Sequence, residues 1–283
     1  MDDSTTTASP GDADLAPVRT LRMTLAYDGT NYCGWQVQPN GMALQTAVEQ
    51  ALLDFTGESI RVVASGRTDA GVHAVGQVVS FATRSSAPCH GFLHGLPVHL
   101  PADIVVRQVD EVATGFNARF DAKRKWYRYL IHNNPIRIPF LRNYTLWQRT
   151  RLNEQAMHAA VQHLVGTHDF RCFESHWPNR SSSVRTVFRA SMTRATGWNA
   201  WDTNASPVPA AGTAAEDFLY FDIEADGFLY NMVRSIVGTL IHVGRGRWSP
   251  EDLKRILARG DRTHAGETAP PQGLYLMQVV YET

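Results

Sequence analysis

The sequence predicts an α+β fold: two similar α/β halves with mostly antiparallel sheets, helices on one side, and a cleft between them. Three observations predict it. Segments alternating apolar and polar residues, such as Leu21-Arg22-Met23-Thr24-Leu25-Ala26-Tyr27, recur through the chain and mark half-buried strands. Segments with apolar residues at helical spacing lie between them, over 42–56, 152–165 and 230–243. Helices and strands follow one another as strand–helix–strand–strand rather than in strict alternation, which suits an open sheet.

Taken in order, residues 1–20 read as a tail. Asp2, Asp3, Asp12 and Asp14 stand there among Ser, Thr, Ala and Gly, a composition too polar to bury a core. The first half spans 21–113. After the 21–27 strand, Asp28-Gly29-Thr30 turns the chain. Leu44, Ala47, Val48, Ala51, Leu52 and Phe55 form one helical face, with Gly57 as its stop. Strands are expected at 61–64 and 77–81, both rich in β-branched residues, and at 104–109. A short helix is expected over Gly91–Val98, limited by Pro97.

The second half spans 114–283. Residues 125–131 form a strand with Lys125, Tyr127 and Tyr129 on one side and Trp126, Arg128 and Leu130 on the other. A helix over 152–165 ends at Gly166. Strands at 184–194 and 217–225 flank 195–216, whose Ala, Thr, Pro, Asn and Gly predict a surface loop. Tyr230–Val243 is a strongly apolar helix carrying one charge, Arg234. Ser249-Pro250-Glu251-Asp252 is a helix start, with Pro at the first position and acids in the first turn. Leu274–Tyr281 closes the chain as a strand.

The formal net charge is zero, but removing the four acids of the tail leaves 27 basic against 23 acidic groups, a net of +4. Within 117–151, Arg119, Lys123, Arg124, Lys125, Arg128, Arg137, Arg142, Arg149 and Arg151 face one acid, Asp121. Such a local excess suits a polyanion. Basic residues interleaved with aromatics along 125–131 suit single-stranded nucleic acid as well as an amphipathic strand with core aromatics. Three widely spaced cysteines suggest neither a disulfide framework nor a zinc ribbon, and favour a reducing compartment. No run of eighteen apolar residues and no apolar signal core appears, so neither membrane nor export is indicated.

One stretch organises the chain, Ser65-Gly66-Arg67-Thr68-Asp69-Ala70-Gly71-Val72-His73-Ala74. Its two glycines permit positive φ or the close approach of another chain. A carboxylate on such a loop, two residues from a guanidinium, fits a nucleophile or base; it also fits an ordinary turn. Other constellations fail. Gly71 and Gly76 precede Gln77 rather than Lys-Ser/Thr, so no phosphate loop is formed. His168, Cys172 and His176 match no common zinc spacing. No Gly-x-Ser-x-Gly elbow occurs. Arg234, alone on its apolar helix, needs either a buried partner or a route to the surface.

The loop Gly66–Ala74, followed by Gly76-Gln77-Val78-Val79, closely resembles the catalytic segment of the TruA family of tRNA pseudouridine synthases. The resemblance runs from Leu21 to Tyr281. It takes in Tyr27-Asp28-Gly29, Tyr32-x-Gly34-Trp35-Gln36, Phe116-Asn117-Ala118-Arg119-Phe120 and Tyr127-Arg128-Tyr129. It continues through Gly166-x-His168-Asp169-Phe170, Gly227-Phe228-Leu229-Tyr230-Asn231-Met232-Val233-Arg234 and Gly273-Leu274-Tyr275-Leu276. It implies conversion of uridine to pseudouridine at positions 38, 39 and 40 of the tRNA anticodon stem-loop, by base flipping. A cytoplasmic homodimer without a cofactor or metal is implied, its active site in the cleft between the halves. By the same resemblance Asp69 is the catalytic residue, Tyr127 packs on the target uracil, and Arg67 and Arg234 are active-site arginines. The chain departs from the family at Gly95-Leu96-Pro97-Val98-His99, which lacks the usual Asn residues, and in its longer 195–216 loop and acidic tail. A catalytically silent tRNA-binding protein and a nucleoside hydrolase are the alternatives. Hydrolysis at a sugar commonly uses two carboxylates, and the loop holds only Asp69.

Overall fold

The computed structural model describes residues 17–39, 41–175, 182–197 and 217–282. Residues 1–16 of the predicted tail, His176 and most of the predicted 195–216 loop lie outside them, whereas Arg19 and Thr20, expected in the tail, belong to the first strand. Among the described residues ten strands form one sheet. They are β1 (Arg19–Tyr27), β2 (Val63–Ala64), β3 (His73–Thr83), β4 (Ile104–Val112), β5 (Ala122–His132), β6 (Leu146–Trp147), β7 (Gly166–Asp169), β8 (Val184–Ala195), β9 (Phe218–Ala225) and β10 (Leu274–Tyr281). The helices are α1 (Leu44–Thr56), α2 (Cys89–Gly95), α3 (Glu154–Val161), α4 (Met232–Gly244) and α5 (Pro250–Arg259).

The strands run in the order β4-β1-β3-β10-β5-β9-β8-β7, with β2 beside β3 and β6 beside β5. The fold is thus the expected mix of helices with a mostly antiparallel sheet, but the strands of the two halves join one continuous sheet. The seam is β10, which pairs parallel with β3 (Tyr275 with His73, Leu276 with Ala74) and antiparallel with β5 (Leu276 with Tyr127). Its position between the halves brings the loop before β3 alongside the middle of β5.

Alternation along the strands sorts the side chains by face. Leu21, Met23 and Leu25 of β1, Tyr127, Tyr129 and Ile131 of β5, and Phe221 and Ile223 of β9 share a core with apolar residues of all five helices. The alternate residues Trp126, Leu130, Tyr220 and Tyr275 form a smaller cluster on the opposite face, with Leu141 packed on it. Trp126 and Arg128 therefore serve the fold: both are buried and both donate to Asp222, Trp126 Nε1 at 2.7 Å and Arg128 Nε at 2.9 Å. A buried Arg is tolerable only with such a partner.

Most element ends shift by a few residues, each for a local reason. Strand β1 begins at Arg19, where its pairing with β3 and β4 already starts. Strand β2 is shorter than expected because the Val62 N–H donates to Glu49 Oε1 of α1. The 91–98 segment splits into α2 and a 3-10 turn that contains Pro97. Helix α3 is capped by Asn153 and gives way to a 3-10 turn at Gln162, so the α-helical part stops short of 165. Helix α5 carries the expected capping box of Ser249 and Asp252. Strands β6 and β7 are too short for a period to show in the sequence.

Candidate active site

The Asp69 loop leaves β2 and enters β3, and its conformation is enforced by buried polar groups. Gln77 of β3 is the hub: its Nε2 donates to Gly66 O at 2.9 Å, and its Oε1 accepts from Ser65 Oγ at 2.7 Å. Lys125 Nζ of β5 donates to Ser65 O at 2.6 Å. Thr68 Oγ1 lies 2.7 Å from the Tyr27 hydroxyl, and Thr68 O accepts from Trp35 N–H at 2.9 Å. These groups are removed from water, so each bond lost would leave a costly orphan. Both sequence readings of the glycines hold. Gly71 adopts φ +75°, and a Cβ at Gly66 would sit 3.2 Å from Lys125 Nζ.

The far end of the loop is clamped by His73, which is buried. Its Nδ1 accepts from the Gly29 N–H at 3.1 Å and its Nε2 lies 2.9 Å from Asn143 O. Asp28 Oδ1 is 3.1 Å from the same Nδ1, and Asp28 Oδ2 accepts from the Tyr144 hydroxyl at 2.7 Å. Burial pushes the Asp28 carboxyl up, but the His73 ring beside it and hydrogen bonds from Thr30 and Tyr144 outweigh it and hold the group well below the usual carboxylate range.

Onto this loop the second half brings a cation and rings. Arg234, in the first turn of α4, donates from Nη1 to Asp69 Oδ2 at 3.3 Å. Its Nε donates to Ala269 O at 2.7 Å, in the segment leading to β10, and Nη1 also donates to Asn231 Oδ1 at 2.8 Å. The Asp69 side chain is 26% exposed and that of Arg234 16%, so the pair is partly desolvated yet open to a ligand. Desolvation raises the Asp69 carboxyl above its ordinary value, with Arg234 opposing the rise.

Tyr127 of β5 is buried and meets Phe228 edge-on, the ring centroids 4.9 Å apart at 80°. Its hydroxyl makes no hydrogen bond among the described residues. Burial, then the charges of Tyr27 and Asp69, push its pKa up, so the phenol keeps its proton. The structure therefore brings together Asp69, Arg234 and Tyr127, the first from one half and the others from the second. Arg67 stands apart: it is exposed and makes no hydrogen bond or ion pair among the described residues. Sequence reasoning assigned no role to Asn231, Phe228 or the Gln77 hub. Asn231 carried no local signal, since it falls within the 230–243 segment that reads as helix; the structure starts that helix at Met232.

The basic cluster divides. Arg128 is held by Asp222 and Lys125 by Ser65 O, while Arg119, Lys123, Arg124, Arg137, Arg142, Arg149 and Arg151 are exposed. Among the described residues no group of three His, Cys, Asp or Glu could hold a metal ion. No described helix is long and apolar enough to cross a membrane.

Comparison with known proteins bears on this geometry. A family model described as tRNA pseudouridine synthase matches residues 23–121 and 160–282. Curated relatives called tRNA pseudouridine synthase A are similar over almost their whole length. One from Moorella thermoacetica is 46% identical over 263 residues, 92% of this chain and 99% of the relative. One from Brevibacillus brevis is 44% identical over 93% of this chain and all of the relative. A third, from Thermoanaerobacter sp. (strain X514), is 40% identical over 93% of this chain and all of the relative. The first matched block holds Asp69 and the second holds Arg234.

Proposed function

The chain belongs to the tRNA pseudouridine synthase family, and from that premise we propose a site-specific reaction. It is an isomerase acting on tRNA that converts uridine to pseudouridine. Its targets are positions 38, 39 and 40 of the anticodon stem-loop, and Asp69 is its catalytic residue. The observation that carries the reading is the partly buried Asp69–Arg234 pair at 3.3 Å, formed across the two halves beside Tyr127.

The chemistry asks for such a site. The bond from uracil N1 to the sugar breaks, the base turns, a bond from C5 to the same sugar carbon forms, the C5 proton is lost and N1 gains a proton, so that the product is an isomer of the substrate. The base must leave the stack and stay enclosed while detached. Asp69 supplies the carboxylate that each route requires, whether it attacks sugar or ring or removes a sugar proton. Arg234 supports its ionised form by opposite charge. Tyr127 offers its ring to the uracil, and Arg67, exposed and without an ion pair among the described residues, takes the place of the extruded base.

The test is turnover on unmodified tRNA transcripts carrying a single uridine at 38, 39 or 40. Pseudouridine at each supports the reading. Free uracil would identify a hydrolase instead, and binding without product a silent tRNA-binding protein.

Binding should be strongly electrostatic. The exposed members of the cluster release counterions from RNA, so tRNA affinity should fall steeply with salt. Replacing Lys123, Arg124 and Arg142 by Ala should flatten the slope of log K against log salt by ~0.7–0.9 for each phosphate no longer neutralised. A slope equal to wild type would place these residues away from the RNA.

The same reading makes the protein a cytoplasmic homodimer, with each tRNA bridging both subunits. Three free cysteines fit a reducing compartment. Phe140 and Ile136, 83% and 77% exposed, offer apolar surface for pairing. Light scattering at micromolar concentration should give twice the chain mass; an active monomer would refute the dimer.

A further inference from the structure

Asn231 lies directly before α4 and, among the described residues, is the only one other than glycine with positive φ. Its backbone is left-handed, φ 61° and ψ 6°, a conformation that costs an L residue free energy and persists where the surroundings enforce it. An Asn before a helix ordinarily caps it, accepting a backbone N–H of the first turn. Asn231 makes no such cap. Its side chain is committed elsewhere: Oδ1 accepts from Arg234 Nη1 at 2.8 Å, and Nδ2 donates to Ser175 Oγ at 2.8 Å. Ser175 is tied back in turn, its N–H donating to Tyr230 O at 3.1 Å.

The guanidinium thus has two short bonds to neutral acceptors, Ala269 O at 2.7 Å and Asn231 Oδ1 at 2.8 Å. Its bond to Asp69 is the longest of the three, at 3.3 Å. The neutral pair sets where the cation sits, and Asp69 receives it. The structure assigns Asn231 as a positioning residue that aims Arg234 at Asp69; the guanidinium, which only donates, selects the oxygen end of the amide, and Ser175 Oγ accepts from the other end. This rests on Asp69 being the catalytic carboxylate.

The groups facing Asp69 are Arg234 from α4 and the phenol of Tyr127 from β5, with Tyr27 of β1 next to that phenol. Arg67, on the same loop, makes no hydrogen bond or ion pair among the described residues. Arg234 is the cation that favours ionised Asp69, so loosening it raises the Asp69 pKa. The fraction ionised at a given pH then falls, and the acid limb of the kcat profile moves to higher pH.

Asn231→Gly tests the assignment, because glycine accepts the left-handed backbone without strain. A residue there only for the turn would be replaced harmlessly. The positioning role predicts a folded variant with tRNA Kd within about threefold and kcat lowered roughly 10- to 100-fold, as for a misplaced catalytic group. Its acid limb should be displaced upward. Asn231→Asp keeps the acceptor oxygen and should recover kcat at alkaline pH, with the acid limb still displaced because a second carboxylate shares Arg234. Wild-type kcat and acid limb in Asn231→Gly would overturn the assignment, as would an Asp variant equally slow at every pH. An Asp69→Asn variant that still turns over would instead overturn the catalytic reading beneath it.

Discussion

Asp69→Asn should abolish pseudouridine formation, with the single-turnover rate falling by ~10³-fold or more, as for loss of an essential catalytic group. The amide is nearly isosteric with the carboxylate and keeps an acceptor for Arg234, so the loop held by Gln77, Thr68 and Lys125 is undisturbed. Affinity for tRNA should change by less than roughly tenfold, about 1.4 kcal/mol. Asp69→Glu should fail as well, since one methylene moves the carboxylate by about 1 Å in a site that depends on alignment. Stability supplies an independent check. Burial raises the Asp69 pKa, so the folded state binds more protons than the unfolded one over the interval between the two values. Stability is lost as pH rises through that interval, and above it the ionised group is a net cost. A neutral Asn should therefore melt no lower than wild type at pH 7. An ordinary turn residue would behave differently, since Asn, also a good turn former, would leave turnover intact.

Arg234→Ala should lower kcat by roughly 10²–10³-fold, the scale seen when a preorganised electrostatic donor is removed. The guanidinium is the first cause opposing the desolvation of Asp69. Without it the carboxyl rises further, so less is ionised at neutral pH. The loss should be greatest in acid and partly recovered as pH rises, the acid limb of kcat having moved up. Arg234→Lys should not restore activity. A lysine offers one point charge and cannot reproduce the planar fork that bonds Ala269 O, Asn231 Oδ1 and Asp69 together. The check is the pH profile of kcat beside tRNA binding at one salt concentration. An acid limb unchanged in Arg234→Ala would show that the cation does not govern Asp69.

The helices and longer strands were legible because burial leaves a period. In α1, Leu44, Ala47, Val48, Ala51 and Leu52 are the buried face, and Gly57 is the left-handed stop. Joining of the halves was not legible, because pairing of β10 with β3 links residues two hundred positions apart through only two register partners. Periodicity carries no information about which strands meet. At the site, the sequence posed the question of Arg234's partner, since one charge on an apolar helix needs an answer, and the fold supplies Asp69. Lys125 and Arg128 looked like RNA contacts by charge alone. Their partners, Ser65 O and Asp222, lie 60 and 94 residues away in sequence, beyond the reach of local pattern. Asn231 was not legible, because it falls inside the Tyr230–Val243 segment that reads as helix; only the fold starts the helix at Met232 and turns the Asn231 side chain to the cation.

The measurement that tests the central claim most directly is product analysis after a single turnover. Wild type and Asp69→Asn, each in excess over an unmodified tRNA transcript, are quenched and digested to nucleosides, with filter binding run in parallel. The account predicts stoichiometric pseudouridine and no free uracil from wild type, and from the Asn variant no product despite comparable tRNA binding. Pseudouridine from the Asn variant at a near wild-type rate would contradict it.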